Sequence, residues 1–311
     1  GTTGEARALA QRLLEHGRKP AAVGLLARVA ADAPPDAAIV SELMWLWGPR
    51  PPAEGLHWLG TRARQATPGV ERAAWARLLL QRGGTQRVVQ LLDPPVLNQP
   101  TGEDFSPEAG VAIDALARLG KSARPRLAAL LRRIAAGADN SRMHKQVADT
   151  AYANGIQDVA RDGYAATLEG DPNNPEAMRN LGQLAFFQGD WSRADGLLTR
   201  YVALPEAEAD FQSHYYLGEI RRRQDRDAGA GALYQASLGI IDRLPEPDTE
   251  ARVIAALATQ RTDGLVVAAP MFEALVADDA TRTQGLPAYL RVLLQNGDTE
   301  RSGRLFQGAE S

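Results

Sequence analysis

One residue spacing recurs through the middle of this chain and limits its fold more than any single residue does. Two small side chains followed by a bulky one form three copies: Gly182, Ala194 and Leu198; 34 residues earlier, Ala148, Ala160 and Tyr164; and 36 residues later, Gly218, Ala230 and Tyr234. A helical hairpin repeated at this period cannot bury its apolar face alone, so it must stack on its neighbours. The spacing therefore predicts an array of stacked helix pairs.

Helix-breaking residues divide the 311-residue chain into about eighteen short helical segments. No period-two run of β-branched residues is long enough to predict a strand. Helix pairs are predicted at 4–32, 36–66, a third ending near 92, 107–137, 141–170, 175–203, 208–243, 247–278 and 284–308. Residues 93–106 lack helical periodicity, so we predict a loop or soft boundary there, between degenerate hairpins at 1–92 and a solenoid at 107–311.

The three copies resemble the tetratricopeptide repeat (TPR) family across 141–243. That family places small residues at the eighth and twentieth positions of a repeat, where its two helices touch, and a bulky residue at the twenty-fourth. Tyr201 and Asp225 depart from the pattern, because the family prefers alanine and glycine there. The resemblance implies an all-α, right-handed superhelical solenoid of about nine antiparallel helix pairs.

In such an array the first helix of each pair lines a concave face, and the resemblance carries that role to particular residues here. The partner-binding candidates are Arg142, Lys145, Tyr152, Arg179, Asn180, Gln183, Phe186, Tyr215, Tyr216, Arg222 and Arg223. Rings beside arginines offer stacking and cation–π contacts. We expect Tyr215 and Tyr216 to be exposed, so that replacing both with alanine weakens binding and leaves the fold intact. The alternative is that Phe186 and Phe187 pack between repeats and the charges are only solvated.

Composition excludes several kinds of site. The chain has no cysteine, which excludes disulfides and thiolate metal ligands. Its four histidines lie in different repeats and lack the spacing of a helical metal site, so we expect no metal. The sequence contains no phosphate-binding loop, so we also expect no cofactor. A net charge of −3 with interspersed signs gives no basic patch for nucleic acid. No apolar run reaches the length of a membrane span.

Two further clusters have both a structural and a functional interpretation. The basic stretch from Lys121 to Arg133 is typical of a solvated helix face, with an anionic ligand as the alternative. The tryptophans at 45, 47, 58 and 75 are typical of packing beneath a proline-rich turn, with a sugar-stacking platform as the alternative.

These features favour a non-catalytic scaffold that binds a protein partner or, as the alternative, a polysaccharide. The chain also resembles the periplasmic repeat regions of bacterial exopolysaccharide export systems, which implies a periplasmic location, with the cytoplasm as the alternative. A generic envelope or pilus assembly adaptor fits as well. An all-helical polysaccharide-active enzyme would need two carboxylates about 5–10 Å apart on long loops. The only long loop offers adjacent Glu103 and Asp104, so we expect no enzyme.

Overall fold

A computed structural model describes residues 2–31, 37–92, 105–224 and 226–309, and within these ranges the regular structure is entirely helical. In these described ranges, eighteen α-helices follow one another in packed pairs, which confirms the all-α, TPR-like fold class. Contacts between residues divide the chain into two compact units, Gly1–Gly163 and Tyr164–Ser311, here called unit 1 and unit 2.

Unit 1 is built from helical hairpins whose core is aliphatic. Its helices are α1 (Thr2–Glu15), α2 (Lys19–Val29), α3 (Ala37–Trp47), α4 (Ala53–Gln65), α5 (Val70–Gln81), α6 (Thr85–Leu91), α7 (Pro107–Arg118), α8 (Arg124–Ala136), α9 (Ser141–Ala153) and the first half of α10 (Gln157–Gly170). Leu26, Leu43, Leu59, Leu79 and Leu131 are fully buried, one each from α2, α3, α4, α5 and α8. Each hairpin thus buries its apolar stripe against neighbouring hairpins.

Unit 2 continues with four complete hairpins and a more aromatic core. Its helices are α11 (Pro175–Gln188), α12 (Trp191–Val202), α13 (Phe211–Arg223), α14 (Asp227–Ile241), α15 (Thr249–Thr262), α16 (Leu265–Ala277), α17 (Asp279–Gln295) and α18 (Thr299–Ala309). Near the end of this unit, the rings of Phe272 and Tyr289 stack with their centroids 5.0 Å apart, and both side chains are fully buried.

Side-chain caps fix where several first helices begin. The side-chain oxygens of Asn140, Asn174, Asp210 and Asp248 each accept a hydrogen bond from the backbone N–H three residues later, at 2.8–3.0 Å. Each such bond satisfies a backbone donor that the helix cannot, and is worth about 1 kcal/mol. The caps therefore fix the residue at which each of these four helices begins.

The small residues of the repeat lie where the two helices of a pair touch. A Cβ atom added to Gly182 would come within 2.8 Å of the Leu198 side chain, and one added to Gly218 within 2.7 Å of the Tyr234 ring. In unit 1, a Cβ added to Gly163 would lie 2.9 Å from the Ala148 Cβ. These approaches confirm the predicted repeat register.

The helix bounds agree closely with the predicted pairs, with one correction. The last pair was predicted to begin at 284, but α17 begins at Asp279 and holds Pro287 in its interior. The Asp278 carboxylate explains the earlier start, because it accepts a hydrogen bond from the Ala280 N–H at 3.0 Å and caps the helix there. Residues 93–104 and Asp225 lie outside the described residues, so the soft boundary at 93–106 stays a prediction.

Replacing Gly182 with leucine should lower the free energy of unfolding by about 1–3 kcal/mol, because the new side chain would overlap Leu198 across the α11–α12 contact. Gly196→Ala is the matched control. An added Cβ there meets no atom within 4 Å, and alanine favours helix over glycine by about 1 kcal/mol. Urea denaturation measures both, and equal stability of the Gly182→Leu variant and the wild type would contradict the assigned register.

Candidate partner-binding surface

The eleven candidate residues divide between the two units. Three lie on α9 of unit 1: Arg142 and Tyr152 are exposed, and Lys145 is half-buried. The Lys145 ammonium is paired with the Asp149 carboxylate one helical turn away, at 2.8 Å. Its charge is therefore already partly satisfied within α9. The other eight candidates lie on α11 and α13 of unit 2.

Four of the eight candidates in unit 2 are buried, which corrects the expectation that they line an open groove. Asn180, Gln183, Tyr215 and Tyr216 are only 7%, 6%, 7% and 8% exposed. The Asn180 amide donates a hydrogen bond to the Tyr164 hydroxyl at 2.8 Å, which ties the start of α11 to the preceding helix. Buried polar groups need such partners, so these amides serve the packing of the repeats.

Aromatic rings form a continuous group on unit 2, here called the aromatic cluster: Phe186, Phe187, Trp191, Tyr215 and Tyr216. Ring centroids are 4.7 Å apart for Phe186 and Tyr216, 5.3 Å for Phe187 and Tyr216, and 5.4 Å for Phe186 and Trp191. Tyr216 lies at the centre, covered by the two phenylalanines at the end of α11. Phe187 is 65% exposed and presents the cluster to solvent.

Trp191 was not among the candidates, because it follows the turn and belongs to the second helix of its pair. Gly189 takes a left-handed conformation (φ 78°) that ends α11, and the Asp190 carboxylate caps α12 by accepting from the Arg193 N–H at 3.2 Å. Trp191 is therefore the first residue of α12 and folds back onto Phe186. The guanidinium of exposed Arg223 lies 4.5 Å from the Trp191 ring centroid, a cation–π distance.

A buried carboxylate joins α13 to α14 and α15 behind the cluster. Glu219 accepts hydrogen bonds from the Arg261 Nε at 2.7 Å and from the Tyr234 hydroxyl at 2.7 Å, and the Arg222 guanidinium lies 3.5 Å away. The Glu219 side chain is 8% exposed and that of Arg261 is 16% exposed. Sequence reasoning missed Arg261, because α15 lies beyond the clear repeats.

The pKa values of these groups follow from burial and from their partners. Burial alone raises the pKa of the Glu219 carboxyl, but the hydrogen bonds and the charge of Arg261, together with the Tyr234 hydroxyl, outweigh burial and hold that pKa below its ordinary value. Burial and the nearby Glu219 charge raise the pKa of Tyr215 and of Tyr234 above the ordinary tyrosine range. At neutral pH, Glu219 is thus ionised and both tyrosines keep their protons.

Other kinds of site were also sought. Among the described residues, no three histidine or carboxylate side chains come together as ligands for a metal ion. None of the described helices has both the length and the apolar composition that crossing a membrane requires.

Comparison with known proteins adds structural likenesses. No protein-family model matches the chain, and no curated protein sequence matches it. The structure is similar to that of the MamA protein (18% identity, 54% of this chain, 88% of that chain, TM-score 0.37). It is also similar to YrrB, described as a TPR protein with an unusual peptide-binding site (14% identity, 55% of this chain, 84% of that chain, TM-score 0.41). A third similar structure is that of pilF of Pseudomonas aeruginosa (15% identity, 63% of this chain, 90% of that chain, TM-score 0.42). The TPR-like fold rests on the helix contacts described above.

Replacing Tyr216 with alanine should destabilise the protein by about 3 kcal/mol, because it empties the centre of the aromatic cluster. This prediction replaces the expectation from sequence that the Tyr215 and Tyr216 rings can be removed with the fold intact, because both rings are buried. Phe187→Ala, at a position that is 65% exposed, should cost less than about 1 kcal/mol. Thermal unfolding followed by circular dichroism compares the two, and similar losses for both would show that Tyr216 is not the central ring.

Replacing Glu219 with glutamine should lower stability at neutral pH by about 2 kcal/mol, because hydrogen bonds to a charged acceptor become neutral ones. A carboxyl whose pKa is lowered by folding stabilises the protein fully above its unfolded pKa of about 4.3. That contribution disappears as the pH falls through the lower folded-state pKa. The stability difference between wild type and variant, measured by urea denaturation from pH 7 to pH 3, should therefore shrink toward acid, and a constant difference would contradict the assigned ionisation.

Proposed function

We propose that this chain is a non-catalytic scaffold that binds a protein partner on unit 2. The binding surface is the face formed by α11 and α13, the first helices of their pairs. The aromatic cluster is the observation that carries the proposal. Phe187 is 65% exposed over a base of packed rings, and Arg223 lies beside it against Trp191. Aromatic residues and arginine are enriched at the energetic centres of protein interfaces, where a rigid ring loses little conformational entropy on binding.

Charge on this face differs from one end of α13 to the other. Arg222 and Arg223 lie in its last turn, next to the aromatic cluster. At its other end, the Asp210 carboxylate caps the first turn by accepting a hydrogen bond from the Ser213 N–H at 3.0 Å. Burial together with the charges of Asp248 and Asp210 raises the pKa of Glu250. A partner with an apolar anchor between an acidic and a basic end would match this polarity, and such complementarity fixes the direction of binding more than its strength.

The absence of catalysis belongs to the proposal and is supported by the state of Glu219. This buried carboxylate is the natural candidate for an acid or a base on the face. Both of its oxygens are engaged, one by Arg261 Nε and the Tyr234 hydroxyl and the other by Arg261 Nη2 at 3.3 Å. A carboxylate held ionised and fully bonded is suited to joining helices and poorly suited to exchanging protons.

A polysaccharide partner is the second candidate function, and one observation in unit 1 favours it. The Trp45 side chain is 77% exposed on α3, and exposed indole rings stack on sugar rings. Placement in the periplasm as part of an exopolysaccharide secretion system stays a prediction from the sequence, as does the envelope or pilus adaptor alternative.

The test compares two phenylalanines of similar exposure in unit 2. Phe187→Ala removes the exposed ring of the aromatic cluster, whereas Phe306→Ala removes a ring that is 59% exposed on α18. Immobilised wild type and variants are incubated with an extract of the source cells, and retained proteins are quantified by mass spectrometry. We expect a partner kept by wild type and Phe306→Ala and reduced about tenfold or more by Phe187→Ala.

Two results would contradict the proposal. One is a partner retained equally by Phe187→Ala, which would place binding elsewhere. The other is retention of no protein, combined with binding to one of a panel of neutral and charged polysaccharides that Trp45→Ala abolishes. That second result would establish the polymer function instead.

A further inference from the structure

A second candidate site lies in unit 1, and Tyr152 is the one residue that it shares with the eleven candidates. An open cavity of about 420 Å³ is lined by the turn between α7 and α8 and by the end of α9. Its volume falls within the range of about 300–1,000 Å³ typical of ligand sites. Apolar side chains contribute Leu116 and Leu127, and the polar side chains that line it are Lys121, Arg124, Tyr152 and Asn154.

The charge of this cavity has a single sign. Lys121 and Arg124 are its two charged lining residues, and no acidic residue of the described chain lines it. Both are exposed, and neither forms an ion pair with any described residue. Two other cations, on α8 and α9, are paired: Arg132 with Asp158, and Lys145 with Asp149.

The turn at the end of α9 keeps the Arg124 guanidinium at this cavity. Gly155 takes a left-handed conformation (φ 68°), and a Cβ atom there would lie 3.2 Å from Arg124 Nη2. With no side chain at 155, the guanidinium lies close against the backbone of the turn. The Lys121 ammonium and the Arg124 guanidinium are the charged donors here that bind a carboxylate. The Asn154 amide already donates one hydrogen bond to the Thr150 carbonyl oxygen, at 2.8 Å.

We propose that this cavity binds one or two carboxylates of an acidic peptide segment from a partner protein. The charge pattern around it selects a peptide over an acidic polysaccharide. A polyanion needs a track of cations along its length, whereas Lys121 and Arg124 are the only cations among the described residues that line this cavity. Two neighbouring acidic side chains satisfy such an isolated pair.

The proposal is independent of the aromatic cluster, which lies in unit 2. A failed test of Phe187 leaves this site untouched, and a failure here leaves the aromatic cluster untouched. The full chain is therefore titrated with a blocked peptide that has two adjacent glutamates between glycines, and with the same peptide carrying glutamines. Digalacturonate, which also carries two carboxylates, represents the acidic polysaccharides.

Binding is followed by the amide resonances of Gly120, Lys121, Asn154 and Gly155 in nitrogen–proton spectra. We expect the glutamate peptide to shift them and the glutamine peptide to leave them in place. Lys121→Gln and Arg124→Gln should each weaken binding about tenfold, since each removes charge-assisted hydrogen bonds. Arg77→Gln, which removes one exposed positive charge on α5 outside this cavity, is the matched control and should bind as wild type does.

Three outcomes would overturn the proposal. Unshifted amides at this turn in the presence of the glutamate peptide would exclude the site. Equal weakening by Arg77→Gln would mean that general attraction, and not this cavity, accounts for binding. Digalacturonate binding as tightly as the glutamate peptide would show that the cavity recognises acidic sugars and that the assigned occupant is wrong.

Discussion

Close approach of the two helices within a pair is the constraint on which the rest of this structure depends. At Gly182 and Gly218 the helices touch so closely that even a methyl group would collide with Leu198 or Tyr234. Because van der Waals repulsion rises steeply, the small residues determine which faces of the two helices meet. The large side chain opposite then fills the space, and the remaining face of the first helix is left for other contacts.

The same packing explains why the exposed and the buried rings of unit 2 lie side by side. Tyr215 and Tyr216 are adjacent on α13, and α11 covers Tyr216 with Phe186 and Phe187. Phe187 itself stays exposed, because it is the last ring of α11 before the turn at Gly189. A rigid, partly exposed ring on a packed base results because the end of α11 lies over the middle of α13.

Sequence reasoning predicted the elements of the fold well and the surface less well. Helix pairs and the Gly182 and Gly218 contacts follow from local periodicity and from residue volume, and both can be determined from the sequence. The burial of Tyr216 depends on how two first helices lie against each other, which spacing alone does not determine. Trp191 was missed because it contacts Phe186 across a turn, and Arg261 because α15 lies beyond the clear repeats. The isolated cations at 121 and 124 likewise depend on which neighbours are already paired.

The bond between Glu219 and Arg261 has a consequence for how the hairpins find their order during folding. Successive hairpins have similar shapes and apolar faces, so a hairpin could dock on the wrong neighbour or on another chain. Docking α13 without α15 beside it would leave a carboxylate with only part of its hydrogen bonds in a nearly dry setting, which is strongly unfavourable. An interaction that adds little net stability can in this way discriminate against misassembled arrays, since only the correct sequence of neighbours neutralises the charge.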